Sequence, residues 1–370
     1  MTAKKSVLLY MAKIDVGGIE NLFLNLIPQL DDQFSFHIAY YGDGANELGE
    51  QFEAMGCTIE RVEANRFRHP IKFIRELRRC IRNHGVDVLH ANAGYSTFFA
   101  LIASYLEHVP VRIAHSHSSK FGVQGNPLNA VFRPMCKIAC HFLATDRINI
   151  GSKSASSIFF HNDSSVFVPN GIDLNRFSYH EGTRAILRRK LGASDDTFVV
   201  LHVGRFVPVK NHEFLLTVFS EILQVVPNAL LVLVGDGPLK SEIRQKSLDL
   251  GIFNKVRFAG IVRNTEDYYS AADAFVFPSI YEGLSLSLVE AQANGLSCFT
   301  SDAVDSDTKV TDNLFFLPLK DEAAWAKEIL LQKRPRMHSG LTPELQRFDC
   351  RYSAKIIGSL YLGHAENDCL

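Results

Sequence analysis

The chain has 370 residues, with 39 Lys and Arg against 40 Asp and Glu, so its charge does not favour a nucleic-acid partner. Its hydrophobic content of 46% is typical of a globular protein, and its length suits two domains. No apolar run approaches the roughly 18–20 residues that cross a bilayer. The short run at 7–12 ends at Lys13, which predicts a buried strand rather than a signal peptide. The seven cysteines contain no Cys-x-x-Cys pair, which favours a reduced cytosolic compartment.

The first half of the chain alternates short apolar strands with helices. The predicted strands are 6–11, 36–40, 86–90, 111–115, 148–151 and 166–168, and the clearest helices are 21–30, 71–83 and 96–106. This alternation predicts a doubly wound parallel sheet. A turn-rich segment at 167–173 interrupts the pattern, so we place the end of an N-terminal domain, 1–170, at this point.

The same alternation resumes in the second half, which we assign to a second domain at 171–348. The predicted strands are 198–203, 230–234, 256–258, 274–277 and 297–300, and the predicted helices are 212–224, 238–250, 266–271 and 287–293. A polar linker follows at 332–340, and residues 349–370 contain a last helix at about 350–362. The second half therefore predicts a second parallel sheet.

Two glycines, Gly17 and Gly18, follow the first predicted strand and open a helix. Glycine lets the backbone approach a ligand closely, and a helix N-terminus favours an anion. The spacing predicts a phosphate-sized site but lacks the GxGxxG pattern of dinucleotide-binding folds. A tight turn between strand and helix would explain the two glycines equally well.

Arg205 and Lys210 leave the first strand of the second half, beside Gly204. An Arg offers a fork of donors and a Lys a point charge, so together they could clamp a dianion. Solvated surface cations are the alternative, and the position at a strand end favours the clamp.

Two further strand ends could approach a ligand through their backbones. The turn at 235–238 includes Gly237, which makes room close to the chain. Val262 and Arg263 follow the next strand and could edge a flat ring, such as a base, with backbone groups. Taken alone, the turn at 235–238 would be explained equally well as a turn with no ligand.

Two acids, Glu282 and Glu290, follow the apolar run 274–277, the first in a polar loop and the second in a helix. If both were helical, eight residues of rise would separate them by roughly 12 Å. Two carboxylates that share one reacting bond, as in a retaining glycosidase, lie about 5–5.5 Å apart. We therefore expect the two acids to hold different parts of one extended ligand.

His115 and His117 lie at the end of a predicted strand and point to the same side of it. That spacing occurs in metal sites, but no acid or cysteine nearby completes one. A substrate-orienting or proton-handling histidine is the better interpretation.

Between Arg61 and His84 there are eight Arg or Lys and two acids. The helix in this region combines an apolar stripe, at 71, 74, 77 and 81, with a basic face. A core-facing stripe with a solvated face is one interpretation. Contact with an anionic membrane surface, or with an anionic lipid-linked acceptor, is the other.

Taken in order, these motifs resemble those of the retaining GT-B glycosyltransferases of family 4, in the branch that builds bacterial capsule and exopolysaccharide. The segments that carry the resemblance are Gly17-Gly18, Pro169-Asn170-Gly171-Ile172-Asp173, Gly204-Arg205 with Lys210-Asn211, Gly235-Asp236-Gly237-Pro238, and Glu282 and Glu290 with Gly283-Leu284. The resemblance implies an α/β GT-B fold in which two Rossmann-like parallel-sheet domains face a central cleft. It also implies that the last helix crosses back to the N-terminal domain.

The resemblance implies a role for the cations at the donor diphosphate. Arg205 and Lys210 match the basic pair that neutralises the leaving diphosphate in place of a metal. Several small or loop residues would approach the donor mainly through their backbones: Gly17, Gly18, Gly204, Gly237, Gly283, Leu284 and Ser285.

The resemblance also implies roles for the acids and a histidine. Glu290 matches the acid that binds the ribose hydroxyls, and Glu282 matches the acid that contacts the donor sugar. His117 best matches the catalytic histidine of the cleft, with His115 as the neighbouring alternative. The residues that match the base-edging backbone are Val262 and Arg263.

The resulting prediction is transfer of a hexosyl unit from a nucleotide-diphosphate sugar, expected to be UDP-linked, to an acceptor hydroxyl with retention of configuration. The acceptor would be a glycan or a lipid-linked molecule, and no metal or other cofactor is expected. The enzyme would be cytoplasmic, with peripheral contact at an anionic membrane through Arg61–His84. The alternatives are a nucleotide-sugar epimerase of the same fold and a non-catalytic scaffold. An NAD dehydrogenase is disfavoured because neither half shows GxGxxG after its first strand.

Overall fold

A computed structural model describes residues 4–14, 18–30, 32–42, 47–117, 129–332, 336 and 342–363. The chain forms two compact units, one of residues 1–171 with 347–370 and the other of residues 172–346. Each unit is built on one parallel sheet, with seven strands in the first and six in the second. The predicted α/β architecture of two Rossmann-like sheets is therefore confirmed. None of the helices in the described ranges has the length and apolar character needed to span a bilayer.

The first unit begins with a strand and alternates strands with helices. Its strands are β1 (Lys5–Met11), β2 (Phe34–Tyr40), β3 (Thr58–Arg61), β4 (Val88–Ala91), β5 (Val111–Ser116), β6 (Asp146–Asn149) and β7 (Val166–Phe167). Its helices up to β7 are α1 (Gly18–Leu26), α2 (Glu47–Ala54), α3 (Pro70–Asn83), α4 (Thr97–Leu106), α5 (Asn129–Phe142) and α6 (Ser152–Ile158). The strand order is β3-β2-β1-β4-β5-β6-β7.

Alternate residues of β1 supply the two cores of the first unit. Leu8 and Tyr10 pack with the buried side chains of α3, α4 and α5, whereas Val7 and Leu9 pack with those of α1. Successive side chains of a strand point to opposite faces, so a strand that is apolar throughout requires helices on both faces. All of these side chains are fully buried.

The second unit repeats the pattern. Its strands are β8 (Phe198–Val203), β9 (Ala229–Val234), β10 (Val256–Gly260), β11 (Ala274–Phe277), β12 (Ser297–Ser301) and β13 (Leu314–Leu317). Its helices are α7 (Glu181–Leu191), α8 (His212–Val225), α9 (Lys240–Asp249), α10 (Thr265–Ala271), α11 (Leu286–Ala293), α12 (Glu322–Leu331) and α13 (Pro343–Gln346). The strand order is β10-β9-β8-β11-β12-β13.

The last helix, α14 (Cys350–Leu362), belongs to the first unit. Asp349 caps it by accepting a hydrogen bond from the backbone N–H of Arg351 at 2.8 Å. Ile357 and Tyr361 are fully buried in the core that contains α1. The Lys5 ammonium donates to the Tyr361 carbonyl at 3.2 Å, where a cation is favoured at a helix C-terminus.

The apolar stripe predicted for α3 is wrong at Ile71. The buried residues of α3 are Phe73, Leu77, Cys80 and Ile81, whereas Ile71 is 74% exposed. At 3.6 residues per turn, Ile71 lies about 160° around the helix from Phe73. Two of the cations on the other side of α3 are paired: Arg78 and Arg82 both contact Glu107, at 2.5 and 2.7 Å.

Two loops at the carboxyl edge of the second sheet pack backbone to backbone. Phe206 N–H donates to the Asp236 carbonyl at 2.9 Å, and Leu239 N–H donates to the Phe206 carbonyl at 3.1 Å. Gly237 has φ of +156°, and a Cβ there would lie 2.6 Å from the Phe206 carbonyl oxygen. Packing therefore requires glycine at this position. A Cβ on Gly283, in contrast, would meet no atom within 4 Å.

We expect Gly237→Ala to lower the free energy of unfolding by about 1–3 kcal/mol, because the added methyl group must displace the Phe206 backbone. The matched control, Gly283→Ala, should change it by less than about 0.5 kcal/mol. Urea unfolding followed by the fluorescence of Trp325, the single tryptophan and a buried residue of the second unit, measures both. Equal midpoints for the two variants would contradict the packing role of Gly237.

Candidate functional site

The second sheet reverses its strand order between β8 and β11. From β8 the chain proceeds outward to β9 and β10, and it then returns to build β11, β12 and β13 on the other side. In open α/β sheets, ligands bind at the carboxyl ends of the strands at such a reversal. The residues that leave β8 and β11 here are 204–211 and 278–285, which contain the predicted cations and the first predicted acid.

Lys210 and Glu282 form an ion pair at this reversal point. The Lys210 ammonium lies 2.7 Å from a Glu282 carboxylate oxygen, and their side chains are 16% and 22% exposed. The ammonium also lies 4.2 Å from the centre of the Phe277 ring, a favourable cation–π distance. The structure therefore joins the second half's predicted Lys to the acid predicted to contact the sugar.

Arg205 differs from Lys210 in its surroundings. It is exposed, and its guanidinium forms no ion pair with any residue in the described ranges. Gly204, the residue before it, donates its N–H to the Val234 carbonyl at 2.9 Å. The two predicted cations thus flank one strand end, one of them neutralised by a carboxylate and the other open to solvent.

A buried histidine, His202, lies beneath this loop. Its Nδ1 is 2.9 Å from the Val276 carbonyl, which can only accept, so Nδ1 carries the proton and Nε2 the lone pair. Nε2 lies 2.8 Å from the position of a Cβ on Gly204. Burial holds the pKa of His202 well below its ordinary value, so the ring is neutral next to Lys210. His202 was not predicted from the sequence, although a histidine inside an otherwise apolar strand is a visible signal.

Glu290 lies in α11, with its carboxylate 2.8 Å from the hydroxyl of the buried Tyr269. Burial raises the pKa of Glu290 to about 7, while the Tyr269 hydrogen bond and Arg176 act to lower it. Arg176 donates to the carbonyl of Arg263 at 2.8 Å and pairs with Glu266 at 3.0 Å. Arg176 and Tyr269 were not predicted from the sequence.

The remaining predicted residues of the second unit line neighbouring loops. Val262 is half-buried and Arg263 exposed, just after β10. Gly283 and Leu284 are half-buried, and Ser285 is buried at the N-terminus of α11. The Ser285 carbonyl accepts from the N–H groups of residues 288 and 289.

His117 follows β5 at the carboxyl edge of the first sheet. Its Nε2 lies 2.7 Å from the Asn92 carboxamide oxygen, and the Asn92 amide group donates to the His90 carbonyl at 3.0 Å. This orientation makes Nε2 the donor. Burial lowers the pKa of His117 to about 3, while the Asn170 side chain acts to raise it, so the ring is neutral with a lone pair on Nδ1. That nitrogen has no hydrogen-bond partner among the described residues.

His115 is fully buried and continues a chain of hydrogen-bonded side chains. Its Nδ1 lies 3.0 Å from Nε2 of His90, whose Nδ1 lies 2.7 Å from the Tyr361 hydroxyl. Burial lowers the pKa of His90 to about 3 and that of His115 well below its ordinary value. Since His117 is half-buried and His115 has no exposed surface, His117 is the histidine that a ligand could reach.

Gly18 opens α1 and is exposed, whereas Gly17 lies outside the described residues. A Cβ on Gly18 would lie 3.4 Å from the amide nitrogen of Asn170. Asn170 itself is buried, and its carboxamide oxygen has no hydrogen-bond partner among the described residues. The first unit therefore places an unsatisfied polar group next to the start of α1.

A group of side chains that could hold a metal ion lies between β3 and α3. Glu60, Cys80 and His84 place one ligand atom each within 4.8 Å of one another. Burial raises the pKa of the Cys80 thiol, and Glu60 already pairs with Arg79 at 3.4 Å. This group contains none of the predicted site residues.

Two family models match the chain, one in the half that forms the first sheet and the other in the half that forms the second. Residues 16–176 match Glycosyltransferase Family 4, and residues 183–332 match Glycosyl transferases group 1. Crystal structures of HepE from Anabaena share the fold. The complex of HepE with UDP has a TM-score of 0.80 at 18% identity and covers 97% of this chain and 100% of HepE.

Three proteins from bacteria are similar in sequence. CapH of Staphylococcus aureus, a capsular polysaccharide biosynthesis glycosyltransferase, is 25% identical over 87% of this chain and 90% of its own. The UDP-Gal:alpha-D-GlcNAc-diphosphoundecaprenol alpha-1,3-galactosyltransferase of Escherichia coli is 24% identical over 68% of this chain and 67% of its own. EpsF of Bacillus subtilis (strain 168) is 30% identical over 82% of this chain and 80% of its own. With this similarity and both family matches, the chain is a glycosyltransferase of GT-B fold that belongs to the group 1, family 4 enzymes.

Proposed function

We propose that the enzyme transfers a hexosyl group from a UDP-sugar to a hydroxyl of a lipid-linked glycan, with retention of anomeric configuration, in the synthesis of a cell-surface polysaccharide. The observation that carries the proposal is the cluster at the ends of β8 and β11. There Lys210 and Glu282 form an ion pair, Arg205 leaves the same strand end as Lys210, and the helix after β11 carries Glu290. In this arrangement the cations would bind the diphosphate, the first acid would contact the sugar on one side of it, and the second acid would contact the ribose on the other side.

The relatives support the donor and the acceptor class. The Escherichia coli relative is named for UDP-galactose and for an acceptor linked to diphosphoundecaprenol, and CapH is named for capsular polysaccharide. HepE of Anabaena, which has this fold, has been solved with UDP and with UDP-glucose. A lipid-linked acceptor would bring the enzyme to a membrane surface.

The chemistry breaks the bond between the anomeric carbon and the diphosphate and forms a bond from that carbon to the acceptor oxygen. Negative charge grows on the departing diphosphate, so fixed cations there stabilise the transition state more than the ground state. Arg205 and Lys210 would supply these charges without a metal. From the first unit, neutral His117 would offer its Nδ1 lone pair to a hydroxyl.

The Glu282 carboxylate pairs with the Lys210 ammonium. A bound diphosphate would take its place on the ammonium, and the freed carboxylate would then accept hydrogen bonds from the sugar hydroxyls. Binding of the donor would thus replace the Glu282 carboxylate by the diphosphate at Lys210. The half-buried ammonium would be paired with an anion both before and after binding.

The direct test incubates the purified protein with a panel of UDP-hexoses, with and without a polyprenyl-diphosphate-linked sugar. We expect UDP release that depends on the acceptor, and a product whose anomeric proton coupling in NMR matches that of the donor. Conversion of the donor to its epimer without UDP release would identify the epimerase alternative. Donor binding without any turnover would identify the scaffold.

Arg205→Ala and Lys210→Ala should each lower turnover by about 10²–10³-fold, since each removes a charge that stabilises the leaving diphosphate. Binding of uridine, which has no phosphate, should change little. Steady-state kinetics and calorimetry measure the two effects. Lys327→Ala, an exposed cation of α12, is the control and should keep full turnover. Near-normal turnover in both site variants would refute the assignment.

Glu282→Gln should raise the affinity for UDP by about fivefold, because the Lys210 ammonium is then released from its carboxylate. The same variant should lose sugar transfer. Calorimetric titration with UDP measures the affinity. In the Lys210→Ala background, Glu282→Gln should give no such gain. An equal gain in both backgrounds would mean that the ion pair does not compete with the diphosphate.

The affinity for UDP should weaken about tenfold between pH 8 and pH 6, because Glu290, with a pKa of about 7, must be ionised to accept from both ribose hydroxyls. Protonation as the pH falls through 7 removes the acceptor, so affinity is lost on the acid side. Calorimetry on wild type and Glu290→Gln measures it. The phosphate of UDP titrates equally with both proteins, so its effect cancels in the ratio of the two affinities at each pH. A ratio that does not change with pH would contradict the ribose role.

A further inference from the structure

Three side chains of metal-binding type meet between the edge strand β3 and the end of α3. Glu60, Cys80 and His84 each place one ligand atom within 4.8 Å of the others. A Glu60 carboxylate oxygen lies 3.6 Å from Nε2 of His84. Together the three residues offer one oxygen, one sulfur and one nitrogen donor. This mixed set suits Zn²⁺, which accepts all three kinds of ligand in proteins.

The separations are close to those that a bound zinc ion requires. Zinc lies roughly 2.3 Å from a thiolate sulfur and about 2.0–2.2 Å from imidazole nitrogen and carboxylate oxygen. In a tetrahedron these bond lengths place the ligand atoms roughly 3.3–3.7 Å from one another. The distance of 3.6 Å between Glu60 and His84 already falls in that range. Since no pair exceeds 4.8 Å, the largest movement needed is about 1 Å.

The backbone of α3 and β3 presents the donors to one another. Cys80 lies in the last turn of α3, and His84 ends the helix by donating its N–H to the Cys80 carbonyl at 3.2 Å. Residues four apart on a helix lie on the same face, and paired ligands of structural zinc sites have about three to five residues between them. Glu60 comes from β3, opposite Ala39 of β2. One helical turn and one strand thus supply all three donors.

The ring of His84 is held in place by its neighbours. The ring of His37, on β2, stacks on it with the two centres 4.2 Å apart. His37 is fixed in turn, because its Nδ1 lies 2.6 Å from the Thr58 hydroxyl of β3. The His84 carbonyl accepts from the Ser6 hydroxyl at 2.9 Å. Contacts that orient a metal-binding histidine strengthen its site, so His37 is a positioning residue here.

Solvent can reach the three donors from one side. Cys80 is buried, whereas the side chains of Glu60 and His84 are 30% and 23% exposed. Arg79 pairs with Glu60 at 3.4 Å, but its own side chain is 63% exposed. An ion pair that open to water is weak and would yield Glu60 to a metal ion. A carboxylate beside a buried thiol adds nothing to an apolar core, whereas an ion between them would use both.

We propose that Glu60, Cys80 and His84 bind a Zn²⁺ ion that fastens β3 to the end of α3. Within the described sheet β3 is hydrogen-bonded to β2 alone, so a metal bridge to α3 adds a second attachment. The Cys80 thiol loses its proton to solvent when the ion binds. Thiolate and carboxylate then balance the two charges of the metal, and water completes the fourth position on the exposed side.

The zinc site is separate from the residues assigned to sugar transfer. In the sheet order, β3 is four strand positions from β5, which His117 follows. Neighbouring strands lie about 4.8 Å apart, so roughly 19 Å separates the two strands. The expectation that transfer needs no metal therefore concerns another part of the molecule. The zinc site does not rest on the proposed function.

The first test is calorimetric titration of the full chain with zinc chloride, after metal has been removed with a chelator. Wild type should bind one equivalent. Glu60→Gln and His84→Gln should each lower the affinity at least about 100-fold, because loss of even an outer partner of a ligand costs roughly 10–100-fold. The matched control is Glu76→Gln, which removes a carboxylate of α3 that pairs with Lys72 instead. It should bind zinc like wild type.

Cobalt(II) in place of zinc identifies the sulfur ligand, since a bound thiolate gives a charge-transfer band in the near ultraviolet. Wild type should show the band and Cys80→Ala should lose it. Cys57→Ala is the control, because Cys57 is also buried in the first unit but packs in the other core. Thermal unfolding without metal shows whether Cys80→Ala is folded. If it is not, the half-exposed positions Glu60 and His84 still carry the test.

Hydrogen exchange tests the fastening itself. Zinc should slow exchange of the β3 amides about tenfold in wild type and leave them unchanged in Glu60→Gln. Equal zinc affinity in wild type, Glu60→Gln and His84→Gln would mean adventitious binding and would overturn the site. A cobalt band that survives in folded Cys80→Ala, or β3 exchange that ignores zinc, would also overturn the proposal. UDP titration with and without zinc keeps the two proposals apart, because failure to bind UDP leaves the zinc results unchanged.

Discussion

Parallel strand pairing is the constraint on which the rest of the molecule depends. Every strand pair in the two sheets of the described chain is parallel. Each strand must then be followed by a crossover on one face of the sheet, and all strands end at the same edge. The cores fill the faces, so the polar groups concentrate at that edge. Lys210 and Glu282 meet there in the second unit, and His117 lies there in the first.

At these sheet edges, burial determines which titratable side chains carry a charge as much as residue type does. His202 lies next to Lys210, and a protonated ring there would repel the ammonium. Burial keeps His202 neutral, so the cation faces only a carboxylate and an aromatic ring. His117 is neutral for the same reason, which leaves it a lone pair. Glu290, whose burial raises its pKa, is the group whose charge changes near neutral pH.

The elements that were predicted well have patterns that only one structure satisfies. The run at 198–203, apart from His202, and the run at 274–277 are apolar, and both strands have the predicted limits. The strand β3, Thr58–Arg61, was missed because all its residues except Ile59 are polar and none is fully buried at this edge of the sheet. Helix α5 was missed because it contains Pro134 and is apolar on two sides, so it shows no single stripe.

The residues of the candidate site likewise divide into those that local sequence patterns predict and those that they do not. Strand ends with glycines and charges identified Arg205, Lys210, Glu282 and Glu290 as residues of interest, although the ligand they hold stays a prediction. The partner of Glu290 could not be predicted, because the Tyr269 hydroxyl that contacts its carboxylate belongs to a residue 21 positions away. Such pairs are set by how the sheet and helices pack. The local sequence does not contain that information.

The buried histidines also determine how the protein responds to acid. His90, His115 and His202 are fully buried, and burial holds the pKa of each below its ordinary value of about 6.5. In the unfolded chain each would take up a proton as the pH falls below that value, whereas in the folded chain it stays neutral. Each such ring lowers the free energy of unfolding by about 1.4 kcal/mol per pH unit on the acid side of 6.5. Both units contain such rings, so each of the two sheets loses stability as the pH falls below 6.5.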